Sequence, residues 1–453
     1  MRHRAFMQVA AWCLGAVTAC SGRVDEREQW LVRVHTDFPV PRLGNRLLVE
    51  VLAEDGSALC SDCSRVFGAV EEGTFPLSFG VPRSAPRVRL RMRLHRTAAL
   101  DAAGLPPVPS TIDRVVVLEG LGVGKQSIDV NLLTECIGVA TDLPARKSCS
   151  RGAELSPEAS LSAPEAPVAN GSWSGAARVP CAGAEREDMS CIPGGAFLLG
   201  EPSAGLPPAL DTSPEHLVQI SPFRLDVREL TVGAARALLP KVPDITLEAK
   251  SEARPDCTYL GGTDSTHDGL PLNCLSRVQA QRLCAAAGKR LPTQAEWEYA
   301  ASNTTAETPY PWGAAPPSCA RAATGRAALY LYETGMDGDS SCRLDRGNAL
   351  PAGPREASRA PCSLLDDCTE AGVRDLGGNV KEWVADAFSP YALGCWAKPG
   401  VLLDPRCEGG KNLTVRGASW VDVPSAGRST ARNEVTDDGF GVLVGARCAV
   451  DAR

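Results

Sequence analysis

Two helix starts that nearly run into each other leave this chain little freedom between Ser276 and Ser302. Ser276 with Gln279, and Thr293 with Glu296, each put a hydroxyl at position one and a longer polar side chain at position four of an S/T-x-x-E/Q pattern. In that pattern the two side chains satisfy each other's orphan amides at a helix N-terminus. Behind the first, Ala280, Leu283, Cys284 and Ala287 recur at helical spacing, and Gly288 offers the left-handed stop. Pro292 precedes the second, whose Trp297, Ala300 and Ala301 are expected to share a buried face while Glu298 stays in water. Two short helices thus abut across Gly288 to Pro292, and the rest of the chain is organised around them.

At 453 residues with 44% hydrophobic content, the chain is long enough for two to four domains with real cores. A formal charge of -7, with no domain-wide basic balance, argues against a nucleic-acid partner. The 18 cysteines say more: setting aside Cys13 and Cys20 leaves an even sixteen along the mature chain, which favours disulfides formed in an oxidising compartment. The leader agrees. Arg2 and Arg4 precede an apolar run from Ala5 to Val17 that is too short to span a bilayer, and Val17-Thr18-Ala19-Cys20 follows. Residues 1–19 read as a signal peptide and 20–28 as a tether. Val-Thr-Ala-Cys resembles the bacterial lipobox, in which the cysteine is lipidated and becomes the mature N-terminus. The expected state is an exported lipoprotein of the cell envelope, periplasm-facing or on the outer surface, held to the membrane by lipid on Cys20 alone.

Residues 29–150 alternate as strands do, most clearly in Arg87-Val88-Arg89-Leu90-Arg91-Met92-Arg93-Leu94, and an all-β sandwich is expected there. Its arginine face could serve an anionic surface polymer or be an ordinary solvated face. Cys60 and Cys63 have no partner pair for a metal site and read as a local or cross-loop disulfide. Residues 151–180, rich in Pro, Ser and Ala without periodicity, read as a linker, and 181–453 as a second, unrelated domain.

That second domain carries ordered motifs. Ile192-Pro193-Gly194-Gly195-Ala196-Phe197 comes first, then Phe223-Arg224-Leu225-Asp226 and Arg228-Glu229-Leu230-Thr231. Gly288 to Ser302 follows with Pro311-Trp312-Gly313 after it, then Asp375-Leu376-Gly377-Gly378-Asn379-Val380-Lys381-Glu382-Trp383. Arg416-Gly417-Ala418-Ser419-Trp420 and Gly445-Ala446-Arg447-Cys448 close the series. Over 181–450 the chain resembles the formylglycine-generating enzyme, or sulfatase-modifying factor, family. The resemblance implies an α+β fold of C-type-lectin-like kind, poor in regular structure. It also implies a disulfide between Cys284 and Cys448, whereas the family's second bridge would need cysteines near Ala301 and Arg432. Cys181 with Cys191, Cys362 with Cys368, and Cys395 with Cys407 are expected as local bridges.

The resemblance carries a structural calcium site onto the side chains of Asp375 and Glu382 and the carbonyls of Gly378 and Val380. Read without the family, the same turn offers converging hard oxygens for Ca²⁺, or simply a loop held by Asp and Asn hydrogen bonds to its own backbone. Family members with oxidase activity hold copper(I) on two cysteines after R-G-G-S-W, and here those positions are Asp422 and Gly427. Neither supplies a soft ligand, so copper is not expected. Arg416, Ser419, Trp420 and Asp422 are the cleft candidates. Three functions follow: a binding module or altered enzyme, with a protein or glycan ligand at the lectin-like domain; a formylglycine-generating oxidase acting on a sulfatase-type cysteine; or an iron-dependent sulfoxide synthase. The last needs a histidine cluster, and the 5 histidines, at 3, 35, 95, 216 and 267, show no paired spacing.

Overall fold

The computed structural model describes residues 28–453 apart from 69–72, 84, 97–103, 121–124, 202–210, 320, 326–353, 357–361, 363–365 and 437–440. The expected signal peptide and Cys20, with most of its tether, lie outside the described residues. Among those that are described, the chain is mostly β with few helices, and no helix is long and apolar enough to cross a membrane.

The N-terminal alternation becomes β1 (Gln29–Thr36), β2 (Arg46–Leu52), β3 (Ser64–Phe67), β4 (Leu77–Pro82), β5 (Arg87–His95), β6 (Ile112–Glu119) and β7 (Lys125–Leu132). The short β8 (Lys147–Cys149), β9 (Leu155–Pro157) and β10 (Ala159–Leu161) follow. The two larger sheets have the orders β4-β1-β7 and β10-β6-β5-β2-β3, and β8 and β9 pair as a third, two-stranded one. Trp30, Val32 and Val34 of β1 with Ile128 and Val130 of β7 meet Leu90, Met92 and Leu94 of β5 and Val116 and Leu118 of β6 in one buried cluster. Each such side chain contributes roughly 1.5–3 kcal/mol by leaving water.

Two expectations are corrected here. Apart from the exposed Arg87, the arginine face of β5 is not the solvated face expected, because carboxylates cover it. Arg91 pairs with Asp113 at 2.6 Å and Arg93 with Glu50 at 2.7 Å, while Arg89 pairs with Glu158, their side chains only 2% and 3% exposed. Nor is 151–180 a free linker. Glu158 lies between β9 and β10, β10 runs parallel to β6, and Glu165 holds Arg114 at 2.5 Å. A three-residue strand borrows its hydrogen bonds from a neighbour, so it needs no periodic signal of its own.

The C-terminal part contains β11 (Met189–Ile192), β12 (Gly195–Leu199), β13 (His216–Ile220), β14 (Phe223–Asp226), α1 (Val232–Leu238), α2 (Arg277–Ala286) and α3 (Gln294–Ala301). Then come β15 (Lys381–Ala387), β16 (Leu402–Leu403), β17 (Asn412–Arg416), β18 (Arg432–Thr436), β19 (Val444–Gly445) and β20 (Ala449–Asp451). They form the sheets β11-β14-β20, β12-β13-β16 and β18-β17-β15-β19. Both reciprocal caps form, at Ser276 with Gln279 and at Thr293 with Glu296, and Gly288 takes φ 69° to end α2. One detail differs from the sequence reading: α3 is buried on every side, and Glu298 is 1% exposed. Arg416 makes that burial tolerable, with Nη2 2.6 Å from Glu298 and the guanidinium 5.1 Å from the centre of the Trp297 ring.

Disulfides staple this arrangement. Cys284 of α2 is bonded to Cys448 beside β20, with Cα atoms 5.6 Å apart. Cys60–Cys63, Cys181–Cys191, Cys362–Cys368 and Cys395–Cys407 are also bonded. Cys136–Cys149 and Cys257–Cys274 are bridges that the sequence reading did not pair. The two parts of the chain share a core: Ala196 and Leu198 of β12 and Leu217 of β13 pack into the N-terminal cluster. Polar ties seal the seam, from Arg42 to the Ala196 carbonyl at 2.8 Å, from Gly400 N–H to the Ile137 carbonyl at 2.8 Å, and between Arg96 and Glu307.

Candidate functional site

The segment after β17 turns inward because Gly417 takes φ 75° where a Cβ would lie 2.8 Å from the Leu376 carbonyl oxygen. Ser419 follows, fully buried, and its N–H and Oγ–H both donate to Asp422 Oδ2, at 2.7 and 2.6 Å. Lys381 of β15 places Nζ 3.2 Å from the same oxygen. Lys381 and Asp422, two positions where the sequence reading expects departures from the family motifs, are therefore partners of each other. Trp420 is buried, and its N–H donates to the Asn379 carbonyl. Of the four cleft candidates, Ser419 and Asp422 are brought together. Arg416 instead turns to α3, donating to Glu298 and to the Ser429 carbonyl.

Gly427 lies across from the turn that begins at Asp375. A Cβ there would meet the Gly377 carbonyl oxygen at 2.2 Å, and Gly377 in turn faces the Trp312 ring. Backbone against backbone leaves no space for a side chain at Gly427.

The turn itself runs through positive φ at Asp375 (57°) and Asn379 (71°). Both Glu382 oxygens accept from Arg447, at 2.6–2.9 Å, and Oε2 also accepts from Trp297 Nε1 at 2.8 Å. Arg447 spends its other donors on the carbonyls of Asp226, Val227 and Arg374. Asp375 Oδ1 holds Arg355 at 2.5 Å, and its Oδ2 makes no hydrogen bond among the described residues. Glu229, just ahead of the Thr231 cap of α1, accepts from Asn379 Nδ2 at 3.0 Å through Oε1, while its Oε2 also makes no hydrogen bond. Asp367 accepts from Gly377 N–H. Burial, with the Asp375 charge behind it, pushes Asp367 up to about 8 and lifts Glu229 well above the ordinary carboxylate range. Asp375 and Glu382 are the side chains that pair with the two guanidiniums, Arg355 and Arg447.

The residues as placed do not fit calcium. Two of the four donors assigned to it, Asp375 and Glu382, already hold Arg355 and Arg447, and a divalent ion would stand beside two fixed positive charges. Nor is there a group of three metal-ligating side chains among the described residues. The described histidines are scattered: His35 bonds Asp129, and His95, His216 and His267 each bond a separate backbone carbonyl. Sequence reasoning missed Glu229, Asp367, Arg355 and the Lys381–Asp422 pair. Glu229 was legible only as part of a helix entry, and no spacing links it to Asp375.

The pattern of the sulfatase-modifying factor enzyme 1-like domain matches residues 175–452. The chain belongs to this family. It is 27% identical over 300 residues to the formylglycine-generating enzyme of Streptomyces coelicolor, covering 58% of this chain and 88% of that one. To the inactive C-alpha-formylglycine-generating enzyme 2 of mouse it is 29% identical over 189 residues, 40% of this chain and 50% of the relative. To the hercynine oxygenase of Mycolicibacterium smegmatis it is 27% identical, covering 53% of this chain and 56% of that one. The chain thus spans about half the length of these last two relatives. Among solved structures, PvdO from Pseudomonas aeruginosa aligns over 58% of this chain and 94% of its own, with TM-score 0.42 and 23% identity.

Proposed function

We propose that this chain is an exported, lipid-anchored protein whose sulfatase-modifying factor domain works at the cell envelope without the copper oxidase chemistry of its family, as a binding module for a protein or glycan or as an altered enzyme. In this reading the domain is C-type-lectin-like, and the two sheets before it are a β-sandwich. One observation carries the proposal: at the two family cysteine positions, Asp422 is occupied by Ser419 and Lys381, and Gly427 is pressed against the Gly377 carbonyl. A soft cation finds a hard carboxylate on one side and no side chain on the other. That one relative is named as inactive is in keeping with this.

The protein incubated with copper(I), O₂ and a peptide bearing a sulfatase-type cysteine is expected to form no aldehyde by mass spectrometry. Gly427→Cys, alone or with Asp422→Cys, should not rescue activity, because its Cβ must displace backbone; the strain should lower stability by about 1–3 kcal/mol. The identity to the Streptomyces enzyme favours the rival reading, a formylglycine-generating oxidase. Copper-dependent, O₂-consuming aldehyde formation by the wild-type protein would establish that reading and end ours.

The anchor is tested separately. Cys20→Ala should move the protein from the membrane pellet to the soluble fraction, since diacyl and N-acyl chains supply the buried CH₂ groups that hold it. Retention of this variant in salt-washed membranes would refute the lipid anchor.

A further inference from the structure

Cys60 and Cys63 lie in the loop between β2 and β3, and of the bridges between described residues theirs has the shortest sequence separation, 3, against 6 to 164 for the others. Cys60 is exposed and Cys63 half-buried. The loop is held without their bond. Leu59 packs on the N-terminal core, its N–H donates to the Val51 carbonyl at 3.0 Å, and the Val51 N–H donates to the Cys63 carbonyl at 2.8 Å. Beyond Cys63, β3 pairs with β2 along its whole length, from Ser64 to Phe67. The stability that a bridge adds grows with the loop it closes, so this one adds least. Linkage is reciprocal, and a fold that gains little from a bridge protects it little from reduction. The Cys284–Cys448 bond, with separation 164 and both residues buried, stands at the opposite extreme.

We infer that Cys60–Cys63 is a thiol–disulfide exchange site whose substrate is a dithiol. A substrate thiolate attacks Cys60, the more exposed of the pair; the Cys60–Cys63 bond breaks and Cys63 leaves as a thiolate. With the two Cα atoms 5.0 Å apart, that thiolate stays beside the mixed disulfide and expels a monothiol by closing the bridge again. A second thiol on the substrate resolves the intermediate in the other direction. It attacks the substrate sulfur joined to Cys60, the substrate closes its own disulfide, and Cys60 leaves as a thiolate. Two electrons and two protons thus pass from the dithiol to the cysteine pair, and the reverse reaction oxidises a dithiol. A small dithiol and the paired cysteines of a reduced protein share this chemistry. The site lies in the N-terminal sheets, and it stands or falls apart from the copper question.

The test is graded reduction of the full mature chain with dithiothreitol, with reduced thioredoxin and with glutathione, followed by alkylation and peptide mapping. At least one dithiol is expected to open Cys60–Cys63 at a concentration at least tenfold below that needed for Cys181–Cys191 or Cys362–Cys368, bridges that also carry one exposed cysteine. Whichever dithiol acts at the lower concentration identifies the source, and glutathione at the same thiol concentration should leave the bridge closed. The circular dichroism spectrum should not change on this first reduction. With oxidised glutathione, Cys63→Ser should form a mixed disulfide at Cys60 at least tenfold faster than Cys60→Ser forms one at Cys63. The wild-type arm needs no variant to fold. Opening of the three bridges together, resistance of Cys60–Cys63 to both dithiols, equally ready reduction by glutathione, loss of the fold when this bridge opens, or trapping at Cys63 as fast as at Cys60 would overturn the inference.

Discussion

Arg447→Met should cost about 3–5 kcal/mol of folding free energy, a large share of the stability of an ordinary domain. The substitution leaves Glu382 with a buried, uncompensated charge and takes donors from the carbonyls of Asp226, Val227 and Arg374 at once. Denaturant melts of the folded variant measure the loss. The double change Arg447→Met with Glu382→Met should recover part of it, because removing both charges relieves the burial that removing one exposes. The same geometry makes a statement about calcium: with Arg447 and Arg355 already on the turn, the wild-type melting temperature should be the same in calcium and in chelator. A rise with calcium would mean that the ion binds the folded state and displaces a guanidinium, since only such binding adds stability.

Replacing Cys284 and Cys448 together by serine should cost about 5 kcal/mol in the chain-entropy account, because the bond closes a loop with sequence separation 164. Losing the Cys60–Cys63 bridge, with separation 3, should cost about 2 kcal/mol or less by the same relation. Denaturant midpoints of the two double-serine variants decide the matter, and equal losses would show that loop length is not what sets the value here. The long bond ties α2, near the middle of the family domain, to the residue just before β20, close to the Arg290–Asp451 contact.

What could be read in advance divides along physical lines. Caps, the glycine stop after α2 and strand alternation are local, and each was legible because three or four residues settle it. The family itself was legible because its motifs recur in order. Pairings across the chain were not. The arginines of β5 looked solvated because Glu50, Asp113 and Glu158 come from three other segments, and nothing in sequence order brings them opposite. Glu298 looked wet for the same reason, its partner Arg416 lying more than a hundred residues on. Asp375 and Glu382 were chosen for calcium by motif alone, whereas their occupants Arg355 and Arg447 come from outside that motif. The Lys381–Asp422 pair shows the gain from structure most plainly: two residues the sequence reading treated separately become one interaction.

The seam between the two parts of the chain bears on how the molecule comes apart. Ala196, Leu198 and Leu217, which belong to the family domain, are counted among the buried side chains of the sheets before it, and Trp173, just outside the matched residues, packs on the same cluster. The border drawn by homology therefore passes through hydrocarbon and not through water. A fragment trimmed to residues 175–452 would start with a raw apolar face, as prone to stick as to fold. In the whole chain, neither half can melt without stripping cover from the other, so a ligand gripping one half delays the unfolding of both.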